Sequence, residues 1–331
     1  MIRKLRTINS TTTVPYDNMA LEAYLLHHVE PGECILYLWQ NRRTVVIGRN
    51  QNCFAECKCS QLEEDGGYLA RRLSGGGAVF HDLGNLNFTF LVRKEDYSVE
   101  MQTEVILQAA RMYGIGAERT GRNDIVVDGR KFSGNAYYQT GDCCYHHGTI
   151  LIQVDKENMS HYLNVSKEKL QSKGVESVRS RVANLTEFAP QMTVDGMKER
   201  LVKAFSDVYG LPVERIEPEE MDNRELAAFR EQLSSWEWLY GKKLPFTFQA
   251  EQRFPWGGVQ LQMEVHGGIV KEARLYSDAL DVELIPRLVH ALEGRKYQAG
   301  TMMDAIEGLT AENQVQEQMK YDISQLIHSS M

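Results

Sequence analysis

The 331-residue sequence contains no run of about 18 apolar residues, so a membrane-spanning helix is not expected. Cysteine is sparse. Its six copies fall at Cys34, Cys53, Cys57, Cys59, Cys143 and Cys144, a scatter that suits reduced thiols better than a disulfide framework in a chain this large. The cluster CFAECKC lacks the fourth Cys or His, and the spacing, that zinc or an iron–sulfur cluster would need. Positive charge is also short. With 37 Lys and Arg against 45 Asp and Glu, the net charge of −8 excludes a dominant nucleic-acid or anionic-membrane footprint. The first residues, MIRKLRTINSTTTVPYDNM, have no continuous apolar core, so no secretory signal is read there and a cytoplasmic protein is expected. Neither a Walker A loop nor a GxGxxG fingerprint is present.

What is there suits two globular domains: 43% hydrophobic and 25% charged residues over a length greater than one domain usually needs. Met19, Leu21, Leu25, Leu26 and Val29 recur at helical spacing after Asp17 or Asn18, predicting an amphipathic first helix over 16–29. CILYLWQ and TVVIGR read as a hairpin across QNRR, and NFTFL alternates as a half-buried strand does. Residues 100–113 and 193–235 carry helical patterns. NDIVVDGRKFSGNAYY predicts two strands around an Asp128-Gly129 turn. Neighbouring hairpins with helices between them predict an α+β protein with a mixed or antiparallel sheet, and disfavour a doubly wound parallel one. A strand-rich unit with a hairpin at Gly267-Gly268 and two following helices begins near residue 247. The expected domains are therefore 1–246 and 247–331.

Four segments carry candidate chemistry. In RRLSGGGAVFHDLGN, glycine backbone N–H groups beside Arg71 and Arg72 suit a phosphate, although Gly-rich turns are ordinarily just turns. In GRNDIVVDGRKFSGNA, strict alternation puts Lys131, Ser133 and Asn135 on one strand face and Phe132, Gly134 and Ala136 on the other. Lys131 there suits stabilisation of an activated carboxylate, and Asp124 suits Mg2+ on nucleotide phosphates. In CCYHHGTILI, adjacent His146 and His147 must face opposite ways, so one is expected to be structural. Lys173, Arg179 and Arg181 lie in a polar connection, 166–185, which reads either as solvated loop charge or as a lid over phosphates.

Taken together, RRxSGGGAVFHDLGN, GRND with DGRKxSGNA, HHGT and KGxxSVRSRVxNL resemble the lipoate-protein ligase family, in the family's order, from the first helix to about residue 190 and more weakly through SWEWLYGK. The resemblance implies a catalytic domain related to biotin ligases and class II aminoacyl-tRNA synthetases, with a small α/β accessory domain. It also implies lipoate activation by MgATP to lipoyl-AMP, then transfer to a lysine amine of an acceptor. Matched residue by residue, Lys131 resembles the essential lysine. Nucleotide and lipoate contacts fall on Arg72, Gly77, Ala78, Val79, Phe80 and Lys131, and Asp124 on an adenylate or metal contact. Gly76, His81, Asn85, Ser133 and His147 fall among their neighbours, and the glycine strand becomes one wall of a lipoyl tunnel. Implied partners are the glycine-cleavage H protein or the E2 lipoyl domains of 2-oxoacid dehydrogenases, with the enzyme a monomer. The competing expectation is a cysteine-dependent octanoyl or lipoyl transferase on the same fold. Segment 166–185 contains no cysteine for it, and Cys143-Cys144 is read as a connection before the HHGT strand.

Overall fold

A computed structural model describes residues 1–121, 123–163, 182–217, 220–240, 248–266 and 268–331. The expected lid residues Lys173, Arg179 and Arg181, the boundary at 246/247 and Gly267 lie outside them. The strands are β1 (Lys4–Asn9), β2 (Glu33–Trp39), β3 (Thr44–Ile47), β4 (Tyr68–Arg71), β5 (Val79–His81), β6 (Asn85–Arg93), β7 (Glu118–Thr120), β8 (Asp124–Val127), β9 (Arg130–Thr140), β10 (Cys143–Leu151), β11 (Val213–Arg215), β12 (Phe248–Phe254), β13 (Gly257–His266) and β14 (Ile269–Ser277).

Eight of them form one mixed sheet in the order β11-β1-β2-β6-β10-β9-β8-β7. β1 runs parallel to β11 and β2, and the remaining neighbours are antiparallel. The mixed sheet is thus as expected. One face, carrying Cys34, Leu36, Leu38, Phe88, Phe90, Cys144 and Ile150, packs with Val105, Ile106, Leu201 and Phe205 from helices Val99–Arg111 and Val194–Tyr209. The other face lies towards helix Pro15–His28, which begins with a proline in its first turn.

Two local expectations change. β2 and β3 do not form a hairpin: every residue of β2 is buried, both its edges are taken by β1 and β6, and β3 pairs instead with β5 in a small sheet ordered β4-β3-β5. β6 is buried along eight of its nine residues, so NFTF is not half-buried; the helix across its second face covers Asn87 and Thr89 too. The Asp128-Gly129 turn is present, with φ of 49° and 71°, the left-handed pair that a two-residue hairpin requires.

The chain divides into two compact units. The first comprises Met1–Val46, Phe54–Ala70 and Val79–Leu239, and the second comprises Ile47–Cys53, Arg71–Ala78 and Tyr240–Met331. In the second, β12-β13-β14 form an antiparallel sheet around which Leu261, Met263, Leu284, Leu288, Ile323 and Ile327 make the core. Three helices follow the strands rather than the expected two: Leu284–Leu292, Ala299–Glu307 and Gln314–Ser330.

Candidate active site

In the first unit, the residues singled out around β8, β9 and β10 separate onto the two sheet faces, and the dividing line differs from strict alternation. The register runs Asp124 opposite Gly134, Ile125 opposite Ser133 and Val126 opposite Lys131, which skips Phe132. That extra residue is a β-bulge. Beyond it, Lys131 comes out on the face of Gly134 and Asp124, while Ser133 and Asn135 remain on the core face. The expectation that Lys131, Ser133 and Asn135 share a face is therefore corrected, the bulge being the reason.

On the core face, His146 Nε2 lies 2.8 Å from Asn135 Oδ1, and Asn135 Nδ2 donates to Asn123 O at 3.1 Å and to Ser133 Oγ at 3.4 Å. The amide oxygen can only accept, so His146 donates from Nε2. Burial, with smaller contributions from His147 and Arg119, holds His146 down at about 3, so the ring is neutral. This is the structural histidine of the pair.

On the opposite face, Lys131 Nζ contacts Asp124 Oδ1 at 2.7 Å, with each side chain about a third exposed. The Lys131 carbonyl accepts from Ala183 N at 2.8 Å, and Lys131 bridges Val182 in parallel. His147 is buried and sets Nδ1 2.8 Å from Glu22 Oε1; Thr89 Oγ1 donates to the same oxygen at 2.7 Å and accepts from Trp39 Nε1 at 3.1 Å. Glu22, Thr89 and Trp39 were not anticipated from sequence. The available signal was Glu22 itself, a carboxylate within the apolar stripe of the first helix, where an unpaired charge is too costly to be idle.

Asn85 and Asn87 continue this face along β6. Asn85 Nδ2 donates to Asn87 Oδ1 at 2.9 Å, which leaves Asn85 Oδ1 and Asn87 Nδ2 buried without a partner among the described residues. Such groups cost about 1–3 kcal/mol each until water or a ligand satisfies them. His81 and Phe80 sit on β5: Asn41 Nδ2 donates to His81 Nδ1 at 3.3 Å, and Phe80 stacks on Tyr162 at 5.6 Å between centroids. Val79 pairs with Val46.

Within the second unit, Arg72 Nη2 donates to Gly75 O and Gly77 O, both at 2.7 Å, and Arg71 Nη1 donates to Gly48 O, Arg49 O and Gln51 O at 3.3, 3.0 and 2.7 Å. The glycine run is a loop, not the strand expected to wall a tunnel. Gly76 N donates to Ala279 O at 3.1 Å, and a Cβ on Gly75 would come within 2.0 Å of Ala279 O. The missing side chains there let backbone approach backbone. Gly77 is exposed and Ala78 partly so.

Cys143 and Cys144 belong to β10 itself rather than to a connection before it. Both are buried. Arg93 Nη1 lies 3.1 Å from Cys143 Sγ, and burial pushes the Cys144 thiol up to about 11, away from the thiolate a transferase needs. Among the described residues no group of three His, Cys, Asp or Glu side chains could hold a metal ion, and no helix is long and apolar enough to cross a membrane.

Residues 14–206, which include most of the mixed sheet, match the family model for the lipoyl protein ligase A/B catalytic domain. Residues 243–327 match that for the bacterial lipoate protein ligase C-terminus. The chain is 41% identical over 313 residues to the lipoate-protein ligase A of Bdellovibrio bacteriovorus, covering 92% of each, and 41% identical over 302 residues to that of Psychrobacter cryohalolentis, covering 89% of each. Among solved structures, it superposes on P. falciparum LipL1 in complex with lipoate with a TM-score of 0.84 at 31% identity, over 97% of this chain and 99% of that one. It superposes on a bi-partite lipoate protein ligase from Thermoplasma acidophilum, studied with its E2 lipoyl domain, with a TM-score of 0.62 at 25% identity over 75% and 100%. The chain belongs to the lipoate-protein ligase family.

Proposed function

We propose that this enzyme activates lipoate with ATP as lipoyl-AMP, releasing pyrophosphate, and passes the lipoyl group to a lysine amine of a lipoyl acceptor domain. The observation that carries the reading is the Lys131–Asp124 pair, a partly exposed ammonium on the rim of the site face, 2.7 Å from a carboxylate. Lipoate attack on the α-phosphate gathers negative charge on the phosphoryl oxygens, and an ammonium held in place before reaction stabilises that charge without reorganising. The acid's oxygen forms the new P–O bond as the bond to pyrophosphate breaks. Acceptor lysine then attacks the mixed anhydride and displaces AMP.

One carboxylate suffices where Mg2+ is held chiefly by substrate phosphates, so Asp124 fits that ion. Nucleotide and lipoate contacts are assigned to Arg72, Gly77, Ala78, Val79 and Phe80, and Gly76, His81, Asn85 and His147 to their surroundings. The unpaired amide atoms of Asn85 and Asn87 support a polar ligand group beside them. Ser133, on the core face, fits a supporting role through Asn135. Catalysis is assigned to residues 1–246 and an accessory role to 247–331. The acceptor is an E2 lipoyl domain or the glycine-cleavage H protein, the enzyme a cytoplasmic monomer.

The deciding test incubates the enzyme with lipoate, Mg2+ and an acceptor domain, with and without ATP, and reads the acceptor's intact mass. A lipoyl increment that requires ATP is expected. In Lys131→Ala, pyrophosphate release falls by about 1,000-fold while the melting midpoint stays put. Modification from an acylated donor without ATP would refute the ligase reading.

A further inference from the structure

The geometry points to Gly134 as a positioning residue for Lys131, a role it fills by lacking a side chain; this rests on the reading of Lys131 given above. In a regular strand, residues three apart face opposite ways. The bulge at Phe132 cancels that alternation and lays the lysine back across Gly134, so a Cβ built there would stand 2.9 Å from both Lys131 Cε and Nζ. Asp124, the cross-strand partner of Gly134, receives the ammonium at the end of this trough.

Nothing else described explains the glycine. Its φ is not in the left-handed region, and the next nearest atom to a Cβ at this position is Thr149 Oγ1 at 3.8 Å, an ordinary contact. A glycine inside a strand is destabilising relative to alanine. Here that cost clears space for the end of one flexible side chain. A methyl would leave the backbone where it is and displace the ammonium, and a misplacement of about 1 Å can cost about 100-fold in rate.

The test compares lipoate-dependent pyrophosphate release and thermal melting for the full-length wild type, Lys131→Ala, Gly134→Ala and the double variant. Gly134→Ala should lower kcat by about 30–100-fold, keep KM for ATP within about threefold and melt at the same temperature or higher. Gly134→Ser, which adds the same Cβ, should fall in step. On the Lys131→Ala background the added methyl should change the residual rate by less than about twofold, because the group it displaces is gone. Wild-type kcat in Gly134→Ala, an equal loss on both backgrounds, or a Gly134→Ala chain that no longer melts cooperatively would each overturn the inference and leave the Lys131 reading intact. A wild type that releases no pyrophosphate with lipoate would instead overturn the functional reading.

Discussion

On one face of β9 and β10, His146, Asn135 and Ser133 hold one another in the core against Phe88 and Phe90; on the other, His147 with Glu22 and Lys131 with Asp124 form two contacts between ionisable groups, the first buried and the second partly exposed. Each face holds one histidine, but the first surrounds it with an amide and a hydroxyl and the second with a lysine and two carboxylates. Both faces leave buried polar atoms without a partner among the described residues, and the second also leaves an ion pair partly open. On the core face the amide network ties the neutral histidine to the strand beside it through Nε2, while His146 Nδ1 is buried without a partner among the described residues. On the site face, Lys131 and Asp124 keep about a third of their surface open, and two buried amide atoms on β6 lack partners among the described residues. Adjacent residues of one strand thus enter two different networks, because neighbours in a strand point opposite ways.

Two glycines on opposite faces of this ribbon, Gly148 opposite Asn135 and Gly134 opposite Asp124, offer the largest break in the comparison. At Gly148 a Cβ would meet Gly134 O at 2.6 Å and Phe88 Cζ at 2.7 Å, so backbone or a packed ring must shift. Gly148→Ala should cost about 2–3 kcal/mol by denaturant titration, whereas Gly134→Ala should cost none. Equal stability of the two variants would mean that the faces do not differ as described.

A smaller effect separates the histidines by pH. His146 is held at about 3 against its ordinary 6.5, so below pH 6.5 the unfolded chain binds a proton that the folded chain refuses. Its contribution is fully present above 6.5 and is lost as pH falls towards 3, by up to about 1.4 kcal/mol per pH unit. His146→Gln, which retains an amide N–H for Asn135, should flatten the stability profile between pH 6.5 and 5. A wild-type profile as flat as the variant's would contradict a buried neutral ring.

Much of this was legible in the sequence. The first helix, the Asp128-Gly129 turn and the mixed sheet followed from spacing and turn chemistry. The division of the histidines followed as well, since alternation needs no tertiary information. What stayed hidden depends on partners distant in the chain. The bulge at Phe132 is a property of the pairing between β8 and β9, and alternation read from β9 alone puts Lys131 on the wrong side of it. Glu22 lies 125 residues before His147, and no local pattern joins them. The partner of β3 is hidden because β2 and β3 are equally apolar; only the occupied edges of β2 send β3 elsewhere. The glycine run, read as phosphate-facing backbone and as one wall of a lipoyl tunnel, makes room at Gly75 for Ala279 O, more than 200 residues away in the chain.

The smallest expected effect concerns Cys143, which shares the parity of His147 and Tyr145 along β10 and so belongs to the site face by direction. Direction alone does not make it a nucleophile. Four residues of strand put it about 13 Å from His147, far beyond the reach of one side chain, and its sulfur is taken up by Arg93 at 3.1 Å. Cys143→Ala should therefore leave ATP-dependent lipoylation within about twofold of wild type, since covalent catalysis needs a base within hydrogen-bond reach of the thiol. A loss comparable to that of Lys131→Ala, together with an acyl group trapped on the thiol by mass spectrometry, would move the chemistry from the lysine end of the ribbon to its cysteine end and make the enzyme a transferase.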